Sequence, residues 1–164
     1  MTSLRVADIV QDSIVDGPGL RLAVFVQGCK HDCPKCHNPQ THNIFGGKTI
    51  DISEIVSALK KNQLLSGLTL SGGEPLLQPQ PLLELCTIVK GMGKNIWLYS
   101  GYTWKEIQQL CLHNLTIRKL LDNIDVLVEG RYIDELRDLN LEFRGSSNQR
   151  IIEFKNYIPK FNLA

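Results

Sequence analysis

Residues 20–36 read LRLAVFVQGCKHDCPKC. The first eight form a β-favouring apolar run closed by Gly28, the pattern of a buried strand. That strand runs straight into a loop bearing Cys29, Cys33 and Cys36, so the cysteines lie past its C-terminal end. Working outward, residues 51–54 (DISE) have an acid-x-x-Glu spacing like a capping box, and Ile52, Ile55, Val56 and Leu59 follow at helical spacing. Residues 67–70 make a second short apolar strand, ending in Ser71-Gly72-Gly73-Glu74-Pro75. Leu82, Leu85, Cys86 and Val89 then mark a helix stopped near Gly91. A third strand, residues 95–99 (NIWLY), leads into Ser100-Gly101, and residues 103–106 (TWKE) open a helix with capping-box form that sets Trp104, Ile107, Leu110 and Cys111 on one face. Residues 124–128 read as a fourth strand before Glu129-Gly130, and residues 149–154 (QRIIEF) as a fifth after the polar loop 144–148.

Strand, loop and helix in regular succession imply an α/β fold with a mostly parallel sheet, because parallel neighbours need a crossover. Ligands collect at the strands' C-terminal ends in such folds, and the cysteine loop, residues 71–75, Ser100-Gly101 and Glu129 all fall there. A complete eight-unit barrel takes about 250 residues. The 164 residues here suffice for a partial, laterally open (β/α) barrel, expected as a single domain over 1–164.

Composition excludes several classes. Apolar residues make up 43% and charged residues 21%, as in an ordinary packed domain. A net charge of +1 offers no field for polyanions, so neither nucleic acid nor an anionic membrane surface is an expected partner. Residues 1–10 carry only Arg5 as a basic group and form no signal-peptide core, and no run approaches the about 20 apolar residues of a membrane span. A cytoplasmic location is expected. Three of the five cysteines fall within eight residues, which in a reducing compartment points to metal or redox chemistry.

The spacing C-x-x-x-C-x-x-C lets one loop wrap three soft thiolates around a single centre, an iron-sulfur cluster or zinc. A structural zinc site is closed by four ligands. Cys86 and Cys111 sit on apolar helix stripes, where cysteine behaves as a small core hydrophobe, while His31, His37 and His42 lie close enough in sequence to complete such a site. Without a fourth protein ligand, a four-iron four-sulfur cubane keeps one iron open. That corner can chelate the amino and carboxylate groups of S-adenosylmethionine, and one electron then cleaves it to methionine and a 5'-deoxyadenosyl radical.

Cys29, Cys33 and Cys36 together with Ser71-Gly72-Gly73-Glu74-Pro75 resemble the radical S-adenosylmethionine superfamily. The resemblance implies that Gly72, Gly73 and Glu74 meet the methionine moiety, the glycines by close backbone approach and Glu74 by complementing an ammonium. Residues 16–19 (DGPG), 27–29 (QGC) and 36–39 (CHNP) are similar to the activating enzymes of glycyl radical enzymes. Residues 98–104 (LYSGYTW), 125–131 (DVLVEGR) and 144–150 (RGSSNQR) resemble the branch that serves the anaerobic ribonucleoside-triphosphate reductase, and the likeness spans about residues 5–155. It implies a radical enzyme that abstracts hydrogen from a glycine of the reductase's large subunit, with a reduced flavodoxin-like protein as electron donor. Lys35, Cys36 and His37 would then lie beside the adenine, and Ser100, Gly101 and Glu129 would border the same cavity. Many superfamily members carry an aromatic residue where this chain has Lys35. Pyruvate formate-lyase or another glycyl radical enzyme as target, and a non-catalytic zinc module, are the alternatives. Residues 71–75 can also be read as a plain strand-to-helix turn, residues 16–19 as a tight turn, residues 144–150 as a solvated loop, and Trp97 and Trp104 as core.

Overall fold

The computed structural model describes residues 2–154, so both ends of the expected 1–164 unit, residue 1 and residues 155–164, lie outside the described residues. Strands β1 (Ser3–Ser13), β2 (Arg21–Val26), β3 (Lys48–Asp51), β4 (Gly67–Gly72), β5 (Asn95–Ser100), β6 (Val126–Glu129) and β7 (Arg150–Glu153) form one sheet in the order β3-β1-β2-β4-β5-β6-β7. The centre, β2-β4-β5-β6, is parallel throughout. Helices α1 (Ile52–Lys61), α2 (Pro79–Gly91), and the pair α3 (Trp104–His113) and α4 (Leu115–Leu121) make the three crossovers. Because strand order never reverses across this centre, right-handed crossovers put every helix on the same face, as in an open segment of a barrel.

Alternation along each strand divides the sheet into two environments. Leu22, Val24, Leu68, Leu70, Ile96, Leu98 and Leu127 pack toward the helices in one core with Ile55 and Leu59 of α1, Leu85 and Val89 of α2, and Ile107 and Leu120 of α3 and α4. The opposite, inner face carries a smaller cluster of Trp97, Val126 and Val128 against Tyr99, Phe143 and Ile151. Arg21 is fully buried in that inner region, donating from Nε to Thr69 Oγ1 (2.7 Å) and from Nη2 to Leu68 O (2.9 Å). Desolvation lowers its pKa to about 10. Through Nη1 to Pro18 O, and through Thr69 Oγ1 to Asp16 O, it fixes the turn at residues 16–19 against β4.

The four parallel strands correspond to the apolar runs of the sequence, and α1 to α3 to its helical spacings. The Thr103 box is complete: Thr103 Oγ1 accepts from Glu106 N–H, and the Glu106 carboxylate accepts from Thr103 N–H. Asp51 caps α1 alone, accepting from Ser53 N–H. The strand expected at residues 149–154 is β7, and it pairs antiparallel with β6. Its connection, residues 130–149, holds only a one-turn helix, Asp134–Leu136, in place of a crossover helix packed on the sheet. Two antiparallel strands, β1 and β3, extend the opposite edge, and among the described residues the two edge strands, β3 and β7, do not pair to close the sheet.

Candidate metal centre

Beyond Val26 the chain enters the cysteine loop through Gly28 at φ +105°. Residues 40–43 back the loop: Gly28 N–H donates to Thr41 O (2.7 Å), Cys29 N–H to His42 O (3.2 Å), and Gln27 Nε2 to Gln40 O and Asn43 O. Asp32 and Lys35 take left-handed φ values of 51° and 56°, bending the loop so that Cys36 N–H reaches Cys33 O at 3.1 Å. Cys29, Cys33 and Cys36 are free, half-buried thiols on the wall of one cavity of about 410 Å³. That volume is typical of a small-molecule or cofactor site.

The electrostatics suit a positively charged centre. Burial raises the Cys29 thiol above its ordinary value against a hydrogen bond from the His31 backbone, and the charges of Glu74, Cys33 and Cys36 push the same way. Burial likewise raises Cys33, opposed by the Tyr132 backbone and by Arg131. Thiolates that repel one another in isolation are stabilised when a metal takes up their charge. Cys86 and Cys111 are buried in the helix-side core; burial drives Cys86 far up and Cys111 to about 11. Among the described residues no three His, Cys, Asp or Glu side chains, these three cysteines included, are drawn together into a formed metal site.

The end of β4 docks directly on the cysteine loop. Gly73 N–H donates to Val26 O (2.9 Å) and Glu74 N–H to Gly28 O (2.8 Å). A Cβ on Gly73 would stand 2.3 Å from Gly28 O, and one on Gly72, at φ +95°, 2.5 Å from Val26 N. The glycines therefore permit a close approach of two segments of this chain, and both also line the cavity. Glu74 is 1% exposed and is not among the cavity-lining residues. Its carboxylate accepts from Leu76 N–H (3.0 Å), Gly101 N–H (2.8 Å) and Ser100 Oγ–H (3.0 Å), and meets His31 Nε2 at 2.7 Å. The acid is thus committed to tying the cysteine loop, β4 and β5 together.

The other expected residues divide. Cys36, His37, Ser100 and Gly101 line the cavity. Lys35 does not: its side chain is 77% exposed and pairs with Asp134 at 3.2 Å. Nor does Glu129, which accepts from Trp104 N–H at the start of α3 and from Arg150 Nε at 3.0 Å. His31, read in the sequence only as a spare metal donor, is the loop's anchor; its ring stands 4.5 Å edge-on to Tyr102, and a Cβ on Gly101 would come within 2.5 Å of it. The roof, missed in the sequence, comes from residues 132–149. Tyr132 meets the His37 ring at 4.5 Å, Phe143 meets Trp97 at 5.3 Å, and the Gln149 side chain holds Gly130 O, Gly145 N–H and Ser146 N–H. The polar stretch 144–150 is therefore a structured cavity wall.

Residues 15–152 match a family model described as a 4Fe-4S single cluster domain. The chain is 36% identical over 145 residues to the anaerobic ribonucleoside-triphosphate reductase-activating protein of Escherichia coli (strain K12), covering 83% of this chain and 90% of that protein. The same-named protein of Vibrio cholerae is 38% identical over 150 residues (86% and 92% covered), and that of Enterobacteria phage T4 37% over 145 residues (84% and 86%). The chain belongs to the anaerobic ribonucleoside-triphosphate reductase-activating protein family. In this reductase-activating family member the residues present fit the cluster that the domain description names. Three unbridged thiols share one wall, the remaining two cysteines are buried in the core, and His42, which lines the same cavity, has a buried Nε2 without a hydrogen-bond partner among the described residues. No helix among the described residues is long and apolar enough to cross a membrane.

Proposed function

We propose that this chain activates an anaerobic ribonucleoside-triphosphate reductase by generating a glycyl radical on its large subunit. A four-iron four-sulfur cluster, when bound, supplies the electron that cleaves S-adenosylmethionine to methionine and a 5'-deoxyadenosyl radical, which takes the glycine hydrogen. The observation that carries the reading is the cavity itself: three cysteine thiols face it from one loop, with Gly72, Gly73, Ser100 and Gly101 on the adjoining strand ends.

In this reading Cys29, Cys33 and Cys36 hold the cluster and leave its fourth corner to the substrate. Gly72 and Gly73 give the methionine end a wall without side chains, while Glu74 acts behind them by fixing His31 and Gly101. Cys36, His37 and the Tyr132 ring border the adenine side, Lys35 contributing backbone only. Glu129 supports the rim through α3 and β7. The open edge of the sheet and the exposed Val15 and Leu139 at the cavity's border leave room for a protein loop carrying the target glycine. Residues 1–164 act as one radical S-adenosylmethionine domain in the cytoplasm, with a reduced flavodoxin-like protein as donor. The named relatives favour the reductase over pyruvate formate-lyase as target.

The test mixes anaerobically reconstituted protein, S-adenosylmethionine, a reductant and a reductase large subunit, and looks for a glycyl radical by electron paramagnetic resonance. A doublet that appears with wild type and is lost in Cys33→Ala is expected. Undiminished 5'-deoxyadenosine formation by Cys33→Ala would sink the ligand assignment.

A further inference from the structure

A second cleft, of about 320 Å³, shares no lining residue with the large cavity. The two divide the cysteine loop between alternate residues: Cys29 and His31 face the cavity, Gly28 and Lys30 the cleft. Arg5, Ile44 and Gln78 complete most of its wall, and among the described residues no acidic side chain lines it. Lys30 is exposed. Beside Ile44 stands Phe45, 82% exposed, on a segment that Arg5 holds through Nη1 to Gly46 O at 2.9 Å.

We propose that this cleft docks a small acidic one-electron carrier protein, the donor that the activation reaction requires; the inference rests on the function proposed above. Each turnover consumes one electron from outside, and the cavity side of the loop is taken up by S-adenosylmethionine and the incoming glycine segment. The electron must therefore arrive through another wall, and at the cleft the wall is the cysteine loop itself. The carrier loses one electron and the resident cluster gains it, with no bond or proton exchanged at the surface. Cations without an opposing acid select an acidic partner and steer its approach. An exposed aromatic beside them is the residue type that anchors such interfaces. A carrier seated here leaves Val15 and Leu139 at the cavity mouth free, so that carrier and reductase bind together.

The experiment uses the full chain with its cluster, flavodoxin as the probe, and the variants Lys30→Glu and Phe45→Ala. Calorimetry should find flavodoxin binding weakened about tenfold by Lys30→Glu, with the wild-type affinity falling steeply as salt rises. Deoxyadenosine formation driven by reduced flavodoxin should fall about tenfold in both variants, and formation driven by dithionite should stay at the wild-type level. Unchanged flavodoxin binding overturns the proposal, as does equal loss in both reductant arms for both variants. Loss of reductase binding with flavodoxin binding intact also overturns it and gives the surface to the reductase. A wild-type protein that makes no deoxyadenosine even with dithionite would instead refute the activation reading.

Discussion

Replacing Gly73 by Ala puts the contact between β4 and the cysteine loop to a quantitative test. The new Cβ would lie 2.3 Å from Gly28 O, where ordinary contact begins at 3.4 Å, and its next neighbours are Gly28 C and N at 2.8 and 3.2 Å. All are backbone, so no side chain can rotate away, and one segment must retreat by about 1 Å. The retreat stretches the bonds from Gly73 N–H to Val26 O and from Glu74 N–H to Gly28 O. Two hydrogen bonds at about 1 kcal/mol each, with about 1–3 kcal/mol of overpacking, put the loss at roughly 3–5 kcal/mol. For a domain of this size that is about 6–20 °C in Tm. Urea and thermal unfolding of the iron-free protein measure it without interference from the cofactor. Gly91→Ala is the internal control: Gly91 ends α2 with nothing among the described residues within 4 Å of its would-be Cβ, and gains up to about 1 kcal/mol from helix propensity. A Gly73→Ala protein that loses less than about 1 kcal/mol would refute the argument that the glycine serves this backbone contact.

Glu74→Gln should cost about 2–4 kcal/mol although it removes no volume. Leu76 N–H donates to one carboxylate oxygen and Gly101 N–H to the other, so either orientation of the amide sets its NH2 against a buried or half-buried N–H. Amide exchange at Leu76 and Gly101 should quicken with the loss, and unaltered exchange would contradict it. Alkylation at pH 8 of native, iron-free protein should modify Cys29, Cys33 and Cys36 and spare Cys86 and Cys111. Burial holds Cys111 near 11, which leaves about one thiolate in a thousand at that pH. Mass spectrometry should show Cys111 labelled only as the pH approaches that value or once the chain unfolds; prompt native labelling at pH 8 would show that α3 does not bury it.

Strands β2, β4, β5 and β6 were legible because a strand buried on both faces leaves an unbroken apolar run with a glycine or polar residue at its end. β1 was not. Its Leu4 and Val6 are buried, but register shifts after Val6 and after Val10 break the period-two pattern, and much of the strand is exposed. β3 is four residues long, and α4 only seven, although Asn114 caps it by accepting from Ile117 N–H. In the site, the cysteine spacing marked the loop whose three cysteines line one cavity, yet the direction of Glu74 could not be read. Strand parity holds only to Gly72, whose positive φ turns the chain and resets which way the next side chains point. The roof at residues 132–149 has no periodicity, and its order comes from Gln149 and Asn148 bonding backbone far along the chain.

Glu74 and Glu129 were both expected at the ligand, and in the structure both carboxylates bond to the rim, for a reason that follows from the open sheet. A closed barrel holds its strand ends in place by hydrogen bonding all the way round. Here the sheet has two edges, and the C-terminal ends of β2, β4, β5 and β6 would splay without lateral ties. Glu74 spans three of them, reaching the β2 loop through His31 and the β5 end through Ser100 and Gly101. Glu129 joins β6 to the first turn of α3, where a carboxylate is favoured by the helix dipole, and to β7 through Arg150. Buried acids at these tips therefore keep the cysteine loop and the glycine wall in register while one edge of the cavity stays open, as the proposed activation of a protein loop requires.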